Sequence, residues 1–354
     1  MATALSRIES AAAGGRPLLL STVNLNFLVT GLVDPAFAKS LQLSDLCTAD
    51  GAPIVWICRA LGIPIRERVA GSDIMERLKQ RRAADRPMRV FFFGGAEGVA
   101  DAACRALNAQ PSGLAGAGSM YPGYGSLEEL SSAEKIDAIN TSAADLLVVA
   151  LGASKGQAWL LRNHHRIKVP VRAHLGAVVN FQAGTLERAP ERMQKLGLEW
   201  LWRIKEEPLL WRRYWHDGCT LLRLVVTRVL PLAVRLRRQA RDRGRQRQML
   251  DVSATVKQHG VYVRLSGAAV ERNIETAITH LRAALAANKP LVTLDLSRVD
   301  AIDPRFLGLL LMLRKRLAGQ GGRLEVAGVT PATAKLFRLN EAGFLLDGQE
   351  AERC

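Results

Sequence analysis

The sequence contains little of what disulfide-linked or membrane-spanning proteins require. Its five cysteines, among 354 residues, are odd in number, widely spaced and form no CxxC pair, which favours neither a disulfide framework nor a zinc site. A reducing cytoplasm is therefore the expected compartment. No stretch reaches the roughly 18 to 20 apolar residues of a membrane-spanning helix, and the apolar stretch near the N-terminus is too short for a signal peptide. Any contact with the cell membrane is expected at its inner surface, as a peripheral protein.

Acidic residues are also scarce: 33 Asp and Glu stand against 49 Lys and Arg, which gives a net charge of +16. The imbalance is concentrated between Leu209 and Gln248, where eleven arginines face only two acidic residues. Such a stretch favours an anionic partner. We expect an anionic membrane surface rather than nucleic acid, because no recognised nucleic-acid-binding module accompanies the arginines. A solvated linker without any partner is the alternative.

Aromatic residues make up only 5% of the chain, yet four of the six tryptophans lie within sixteen residues. These are Trp200, Trp202, Trp211 and Trp215, and they are interleaved with Arg203, Arg212 and Arg213. Aromatic rings beside fixed positive charge suit a helix at a water–lipid boundary, or one that closes over an anionic ligand. A docking helix whose tryptophans fill a core is the other interpretation.

Short apolar runs alternate with longer helical patterns over the first half of the chain. The runs are LLLSTVN, RVFFFGG, DLLVVALG and VPVRAHLGAVVNF, and they predict the strands of an α/β sheet with helices on both faces. In such sheets ligands gather at the carboxyl ends of the strands. We predict an N-terminal tail (1–16), a Rossmann-like α/β domain (17–207), a helical basic appendage with a linker (208–249) and a small second α/β domain (250–354).

The basic appendage has the periodicity of an amphipathic helix over 221–238, with arginines on one side and leucine and valine on the other. Pro231 is expected to kink this helix, and the following run RLRRQARDRGRQRQ is predicted to be a solvated linker. A second βα pattern then begins. Its predicted strands are VYVRLSG, LVTLDLS and RLEVAG, and its predicted helices lie near 274–287, 304–317 and 333–339.

Polar residues follow the predicted strands of the first domain. Thr22 and Asn24 occupy alternate positions at a strand end, so that both can hydrogen-bond one polyol ligand, although Thr and Asn are also common turn formers. Asp50 lies in an Asp–Gly turn, where a carboxylate is either a general base or purely structural. After the run VFFF, Gly94 and Gly95 precede a helix start that can receive a phosphate or a nucleotide ribose.

No metal site and no cofactor are predicted. His164, His165 and His174 share no metal-ligand spacing with the carboxylates and are interpreted as surface or core residues. The dinucleotide fingerprint GxGxxG is missing, which disfavours a dehydrogenase.

A series of sequence blocks follows in a fixed order: TVN, the Asp50 turn with PIVW, RVAGSD, VFFFGG, PGYG, LLVVALGASKGQAW, AGTLERAP and GLEWLWRIKEEPLLWRRYW. Over roughly residues 17 to 216, this series resembles the WecG/TagA/CpsF glycosyltransferases (glycosyltransferase family 26). The resemblance implies transfer of a hexosyl or N-acetylhexosaminyl group from a UDP-sugar to a polyprenyl-diphosphate-linked glycan. The transfer would proceed with inversion and without a metal ion, in exopolysaccharide, capsule or envelope polysaccharide synthesis.

The resemblance also implies roles for individual residues. Asp50 would deprotonate the acceptor hydroxyl, while Thr22 and Asn24 would hold the sugars. Arg68 would contact the acceptor or its diphosphate. Gly94, Gly95 and the loop from Tyr121 to Tyr124 would shape the nucleotide pocket.

Positive charge on the departing UDP would have to come from arginine, because the resembled enzymes use no metal ion. A guanidinium group can bind a phosphate through two hydrogen bonds at once. The candidates are Arg188, Arg203, Arg212 and Arg213.

The chain departs from the family pattern at two positions. Where the family usually reads PKQE, this chain reads Ser154-Lys155-Gly156-Gln157, so position 156 has no side chain, and Gln157 is the substitute from one position along. Asn180 replaces an acid that is frequent in its block. An active enzyme is still expected. The alternative is a catalytically decayed transferase that acts as a regulatory scaffold, and a third hypothesis is an RNA-binding protein that uses the arginine run.

The C-terminal hundred residues contain LVTLDLSRVDAIDPRFLGLLLMLRKRLAGQGGRLEVAG and resemble a STAS domain, the fold of anti-sigma-factor antagonists. Where that family has an Asp, two serines and a Gly, this chain reads DPRFLG from Asp303, so the phosphorylation switch is expected to be absent. An Asp followed by a Pro also begins a capped helix for structural reasons. A docking module for a protein partner is predicted, and homo-oligomerisation stays open.

Overall fold

The computed structural model of the protein describes residues 1–81, 86–243 and 249–346. These described residues form two compact units: the first comprises residues 1–56 and 65–223, and the second comprises residues 57–64 and the described residues from Leu224 onward. Each unit contains a β-sheet and helices, which confirms the predicted α/β fold class.

The first unit contains a six-stranded parallel sheet in the order β2-β1-β6-β5-β3-β4. Its strands are β1 (Leu18–Val23), β2 (Leu46–Ala49), β3 (Met88–Gly94), β4 (Leu114–Met120), β5 (Leu146–Ala150) and β6 (Val171–His174). The helices of this part of the chain are α1 (Ala2–Ala13), α2 (Leu25–Val33), α3 (Pro35–Leu43), α4 (Ala52–Ala60), α5 (Gly71–Lys79), α6 (Val99–Asn108), α7 (Ala133–Thr141), α8 (Ala153–Arg162), α9 (Gly176–Ala183), α10 (Glu191–Leu196), α11 (Glu199–Glu206) and α12 (Trp211–Leu224). The residues of α4 from Ile57 onward are assigned to the second unit.

The apolar strands of this sheet are buried on both faces, which explains why their sequences are continuous apolar runs. Val90 and Phe92 of β3 belong to the core cluster that also contains residues of α1, α5, α6 and α9. Phe91 and Phe93 belong to the opposite cluster, with residues of α7 and α8. Neighbouring residues of one strand therefore stabilise two helical layers.

The chain reverses its direction across the sheet between β3 and β5. From β3 the chain passes through α6 to β4 on one side, whereas from β5 it passes through α8 to β6 on the other. The two helices lie on opposite faces, because α6 packs in one core cluster and α8 in the other. The position outside the carboxyl ends of the strands at such a reversal, here β3 and β5, is where open α/β sheets form the crevice that binds ligands.

Three sequence-based expectations for the first unit are wrong. The predicted N-terminal tail is helix α1, and its Ile8 is 1% exposed within the core. The run VPVRAHLGAVVNF is a strand only to His174, and α9 starts at Gly176. Strands β2 and β4 were not predicted, because β2 is short and the β4 sequence, LAGAGSM, is too poor in large apolar residues to show a strand pattern.

The second unit contains a four-stranded sheet in the order β10-β9-β8-β7, in which only the β7–β8 pair is antiparallel. Its further elements are α13 (Leu230–Arg243), β7 (Leu250–Lys257), β8 (Gly260–Ala269), α14 (Ile274–Ala286), β9 (Leu291–Ile302), α15 (Pro304–Ala318), β10 (Arg323–Ala327) and α16 (Pro331–Leu339). The three predicted strands and three predicted helices are all present. Strand β7 was not predicted; five of its eight residues are exposed in an unbroken row, so it lacks the alternation of a half-buried strand.

The basic appendage is helical over a longer range than predicted. Between α12 and α13, residues Val225–Val229 form a π-helical turn just before Pro231. A π-helical turn accommodates proline, which has no N–H to donate and whose ring would clash with the preceding turn of a regular α-helix. The helix then continues to Arg243, so the predicted solvated linker is wrong at least to that residue; positions 244–248 lie outside the described residues. Arginine, leucine, glutamine and alanine all favour helix, so a high density of charge does not end it.

The predicted boundary at 207/208 also differs from the structure, since the first unit extends to Arg223. Helix α12 is held to α2 by the Asn26 amide, which donates to the Asp217 carboxylate at 3.4 Å. Asp217 is only 2% exposed. The first half of the predicted appendage is therefore an integral part of the first unit.

Candidate active site

Asp50 lies directly after β2, at the carboxyl edge of the sheet. Its backbone N–H donates to the carbonyl oxygen of Val23 at 2.8 Å, which joins the ends of β2 and β1. Gly51, with a φ of 117°, then turns the chain into α4, a backbone conformation that glycine adopts without strain. The sharp turn holds the Asp50 side chain at the strand end and keeps it half-buried.

Burial raises the pKa of Asp50 to about 7. The Arg68 guanidinium and the backbone N–H of Gly71, at the start of α5, lower this pKa, whereas the negative charges of Glu199 and Asp73 raise it. The loss of water around the carboxylate outweighs the two favourable contacts. A carboxyl with a pKa near 7 can accept a proton from an alcohol and release it again at neutral pH.

Two arginines and two carboxylates form an ion-pair network beside Asp50. Arg68 donates to Asp73 at 3.0 Å and also pairs with Glu199. Arg188 donates to Asp73 at 2.6 Å and lies 3.9 Å from Glu199. All four side chains are between 20% and 30% exposed, so the network reaches the surface of the unit. The network positions Arg68 and Arg188 and partly neutralises them.

Thr22 is brought close to this network by Gly71. A Cβ atom at position 71 would lie 3.5 Å from the Thr22 methyl group and 2.5 Å from the end of the Leu175 side chain, so Gly71 packs closely against both residues. Thr22 and the Asp50 environment therefore border the same backbone segment. Asn24 has a different observed contact: its side chain caps α2 by accepting from the Phe27 N–H at 3.0 Å.

Gln157 is completely buried in α8. Its Nε2 donates to the Ser21 hydroxyl at 2.9 Å, and its Oε1 has no hydrogen-bond partner among the described residues. The side chain thus keeps one polar atom for a ligand. Its neighbour Gly156 has no room for a side chain, because a Cβ there would lie 2.1 Å from the His174 ring.

Gly94 and Gly95 lie at the crevice between β3 and β5. A Cβ at Gly94 would lie 2.4 Å from the Ala150 carbonyl oxygen, and the Gly95 N–H donates to that same oxygen at 2.8 Å. Both glycines have positive φ angles, 105° and 83°. In the loop after β4, the rings of Tyr121 and Tyr124 are in edge contact at 6.4 Å, and Tyr124 is 93% exposed.

The other arginine candidates differ in their surroundings. Arg203 in α11 pairs with Glu207 and lies 5.8 Å from the Phe181 ring, and its buried Nη1 has no partner in the part of the chain that the structure describes. Arg212 and Arg213 are exposed on α12, next to the rings of Trp211 and Tyr214. Arg203 is the candidate with an unused buried donor.

Four residues of this region were not predicted as site residues from the sequence. Asp73 and Glu199 were overlooked although they lie within the quoted blocks RVAGSD and GLEWLW, because a carboxylate that pairs with arginine has no local pattern. His174, interpreted as a surface or core residue, is 7% exposed with an unpartnered Nε2. Thr48, in register with Thr22 on the neighbouring strand, also buries a hydroxyl without a partner among the described residues.

The family model described as "Glycosyl transferase WecG/TagA/CpsF family" matches residues 1–235. The chain belongs to this family. It is a glycosyltransferase, and its residues 252–346 match the model described as "Mlab, STAS domain". Both resemblances stated from the sequence are thereby confirmed.

This glycosyltransferase is similar to curated proteins named N-acetylglucosaminyldiphosphoundecaprenol N-acetyl-beta-D-mannosaminyltransferase. The protein of that name from Bacillus spizizenii is 27% identical over 192 residues, which cover 54% of this chain and 72% of the relative. That from Bacillus subtilis is 26% identical over 195 residues, covering 55% and 74%. A crystal structure of an anti-sigma factor antagonist from Mycobacterium paratuberculosis is 20% identical and covers 27% of this chain and 82% of its own, at a TM-score of 0.26 that adds nothing to the family match.

In the STAS domain of this glycosyltransferase, the residues at the position of the family's phosphorylation turn have a structural role. Asp303 caps α15 by accepting from the Phe306 N–H at 2.9 Å and also accepts from the Glu271 N–H at 2.6 Å. Arg305 pairs with the Glu271 carboxylate. The turn therefore begins α15 and holds it to the segment at Glu271, which follows β8.

No described helix is long and apolar enough to cross a membrane. Within the described ranges, no three His, Cys, Asp or Glu side chains are grouped closely enough to hold a metal ion.

Proposed function

We propose that this glycosyltransferase transfers an N-acetylhexosaminyl group from a UDP-sugar to a polyprenyl-diphosphate-linked glycan in envelope polysaccharide synthesis. The name of the relatives supports the acceptor class and the N-acetylated sugar, since it describes a diphosphoundecaprenol-linked acceptor and an N-acetylmannosaminyl group. The observation that carries the proposal is the half-buried carboxyl of Asp50, with its pKa near 7, beside two arginines at the carboxyl edge of the sheet.

The proposed reaction is a single displacement. The acceptor hydroxyl attacks the anomeric carbon of the donor sugar and gives its proton to Asp50. A bond forms between the acceptor oxygen and the anomeric carbon, while the bond from that carbon to the UDP oxygen breaks and UDP leaves with the electron pair. Attack from the side opposite to UDP inverts the configuration, and one general base is sufficient for it.

The departing UDP needs positive charge, and arginine is proposed to supply it without a metal ion. The crevice at Gly94 and Gly95 suits the nucleotide, because it lies where the chain reverses direction in the sheet. Arg203 is the favoured contact to the diphosphate, since its buried Nη1 has no hydrogen-bond partner within the described ranges. Arg68 and Arg188, which their carboxylate partners hold in place, are assigned to the acceptor diphosphate.

Attachment to the inner face of the membrane is proposed for helix α12 and the segment that follows it. On α12, Trp211, Trp215 and Leu222 are 52%, 71% and 67% exposed. Exposed arginines lie beside them at positions 212, 213 and 223. Exposed apolar and aromatic side chains next to arginine are typical of helices that lie at a lipid surface. In the following segment Val226, Leu230 and Val234 are also exposed.

The alternative of a catalytically decayed scaffold rested on the missing side chain at Gly156. The contact between that position and His174 gives the glycine a structural reason, because a larger residue would overlap the imidazole. The glycine is therefore compatible with an intact site.

The STAS domain is proposed to bind a protein partner without phosphorylation.

The test is UDP release from a panel of UDP-sugars in the presence of a polyprenyl-diphosphate-linked acceptor. Wild-type protein should release UDP only when the acceptor is present, and the donor that works identifies the sugar. Addition of EDTA should leave the rate unchanged. If a folded protein releases UDP from no donor, the transferase proposal fails and the scaffold becomes the better hypothesis.

A further inference from the structure

The space next to Gly156 is filled by His174, which comes from a neighbouring strand. Gly156 lies in the first turns of α8, and a Cβ built on it would lie 2.1 Å from Cδ2 and 2.8 Å from Nε2 of the His174 ring. No side chain is possible at 156 while the imidazole is in this position. The imidazole of His174 can therefore occupy this position only because residue 156 is a glycine.

His174 is the last residue of β6, next to Val149 of β5. It is 7% exposed, and its Nε2 is buried without a hydrogen-bond partner in the described part of the chain. A Cβ at Gly176, the first residue of α9, would be 3.7 Å from the same nitrogen. Nε2 thus lies where α8 and α9 both begin. A buried polar atom without a partner destabilises the fold, so such atoms are usually matched by a ligand or by water.

One atom of the Gln157 amide also lacks a partner among the described residues. A chain of hydrogen bonds shows whether this atom is the nitrogen or the oxygen. The Ser40 carbonyl can only accept, so the Ser44 hydroxyl donates to it, at 3.0 Å. The Ser21 hydroxyl must then donate to Ser44, at 2.7 Å, and accept from Gln157 Nε2 at 2.9 Å. This order uses the amide nitrogen as the donor. The amide oxygen of Gln157 is left as a buried acceptor without a partner among the described residues.

Both atoms belong to neutral groups. Burial lowers the pKa of His174 to about 4, so the imidazole carries no charge at neutral pH. Neutral donors and acceptors recognise hydroxyl and amide groups, whereas phosphate is usually bound by arginine, lysine or a helix N-terminus. The chemistry of the pair therefore fits a sugar ring better than the diphosphate.

The pair lies at the same sheet edge as Asp50. Strands β2, β1 and β6 are neighbours in the sheet, so the carboxyl ends of β2 and β6 are about 10 Å apart. Leu175, the residue after His174, packs against Gly71, whose N–H faces the Asp50 carboxyl. Because successive residues of a strand point to opposite faces, His174 faces α8, whereas Leu175 and Asp50 face α5. A ligand that contacts both His174 and Asp50 therefore has to lie across the carboxyl edge of the sheet.

We propose that His174 Nε2 and Gln157 Oε1 together bind a hydroxyl or acetamido group of the transferred sugar, and that His174 determines which donor sugar is accepted. A hydroxyl or an amide offers both a donor and an acceptor, which matches an amide oxygen and an imidazole nitrogen. The imidazole thereby takes the place of the side chain that position 156 lacks. This inference rests on the proposed transferase function.

The test is calorimetric titration of the full chain with UDP, UDP-glucose, UDP-N-acetylglucosamine and UDP-N-acetylmannosamine. His174→Ala should weaken binding of the accepted UDP-sugar about tenfold or more and leave UDP binding unchanged. His174→Gln, which keeps a polar group, should weaken binding of the UDP-sugar less than His174→Ala does. His165→Ala, at an exposed histidine, is the matched control and should bind like the wild type. A loss limited to the N-acetylated donors identifies the acetamido group, and an equal loss with UDP-glucose identifies a hydroxyl.

An exchange of the two positions separates binding from packing. Gly156→Gln alone should lower the melting temperature and weaken binding of the UDP-sugar, because the new side chain overlaps the imidazole. The double variant with Gly156→Gln and His174→Gly should recover both properties.

Three results would overturn the inference: equal loss of UDP and UDP-sugar binding in the folded His174→Ala protein, no loss at all, or no recovery in a folded double variant. Failure of the proposed function looks different. In that case wild-type protein binds neither UDP nor any UDP-sugar.

Discussion

The backbone N–H of Asp50 donates to the carbonyl oxygen of Val23 at 2.8 Å. This bond extends the pairing of β1 and β2 by one residue beyond the end of β2 and holds the carboxyl next to the strand that carries Thr22. The Asp50 side chain therefore starts from backbone that the sheet itself makes rigid. A general base gains from such support, because proton transfer depends on a fixed distance to the acceptor hydroxyl.

Asp50→Asn should lower kcat by about 10²- to 10⁴-fold, the usual contribution of a general base. The amide has nearly the same shape but accepts no proton at neutral pH, so KM for the UDP-sugar should change little. Steady-state kinetics measure both parameters. Asp101→Asn, at an exposed carboxylate paired with Arg105, is the control and should keep wild-type kcat. Equal kcat in wild type and Asp50→Asn would remove Asp50 as the base.

The pH profile should reflect the raised pKa of Asp50. The base is active only when ionised, so kcat/KM should rise about tenfold per pH unit below 7 and level off above it. In Asp50→Asn the residual activity should lack this rise. An activity that is already constant at pH 5 would show that the carboxyl titrates at its ordinary value and that its burial is not maintained in solution.

Stability should change in the opposite direction to activity. Asp50 has a higher pKa in the folded protein than in the unfolded chain, so its contribution to the free energy of unfolding is lost as the pH rises from about 4 through 7. Asp50→Asn should therefore be more stable than wild type at pH 8, by about 2 kcal/mol after allowance for the partial exposure of the carboxyl.

Urea unfolding at two pH values measures the effect. The two proteins should be nearly equally stable at pH 4, where both side chains are neutral. A destabilised variant at pH 8 would contradict the assignment of a strained, buried carboxyl.

Arg203→Ala should weaken UDP binding by about 10- to 100-fold, because the buried guanidinium is proposed to donate to the diphosphate. Arg212→Ala changes an exposed arginine of the same tryptophan-rich region and should have a smaller effect. Calorimetric titration with UDP gives both values. If the two variants lose affinity equally, the unpartnered Nη1 of Arg203 has no special role.

Replacement of Arg212, Arg213 and Arg223 by glutamine should weaken binding to anionic liposomes by about 100-fold, since each basic residue near the surface contributes about 1 kcal/mol. The matched control is the replacement of three exposed arginines of the STAS domain, Arg282, Arg298 and Arg323, which removes the same charge elsewhere. Co-sedimentation at low and high salt measures the loss. If both triple variants bind alike, net charge and not the α12 surface holds the protein at the membrane.

Local pattern was sufficient for the large elements. The continuous apolar runs around Phe92 and Val148 predicted buried strands, because a strand that packs on both faces needs apolar residues at every position. The same pattern did not predict β4, because its small residues give no apolar run. These residues leave room for α6, since a Cβ at Gly116 would lie 2.5 Å from the Cys104 sulfur. The pattern failed for α1 as well, where the buried residues are Ile8 and the small residues Ala4 and Ala11.

The candidate site divides in a similar way. Asp50, Thr22 and Arg68 were selected from the order of motifs in the chain, and the structure brings them to the same edge of the sheet. Asp73 and Glu199 were not selected, since an ion pair between residues 131 positions apart, such as Arg68 with Glu199, has no local pattern.

The sequence alone determined the fold class and the family, and it selected Asp50 as the proposed base, because apolar periodicity and motif order are properties of the linear chain. Tertiary structure decided the chemistry of those residues. The pKa of Asp50 near 7 is due to burial among groups from β2, α5 and α11, and no local pattern contains that environment. The pairing of Gly156 with His174 is likewise a matter of volume, since two residues eighteen positions apart meet only after α8 packs on the sheet.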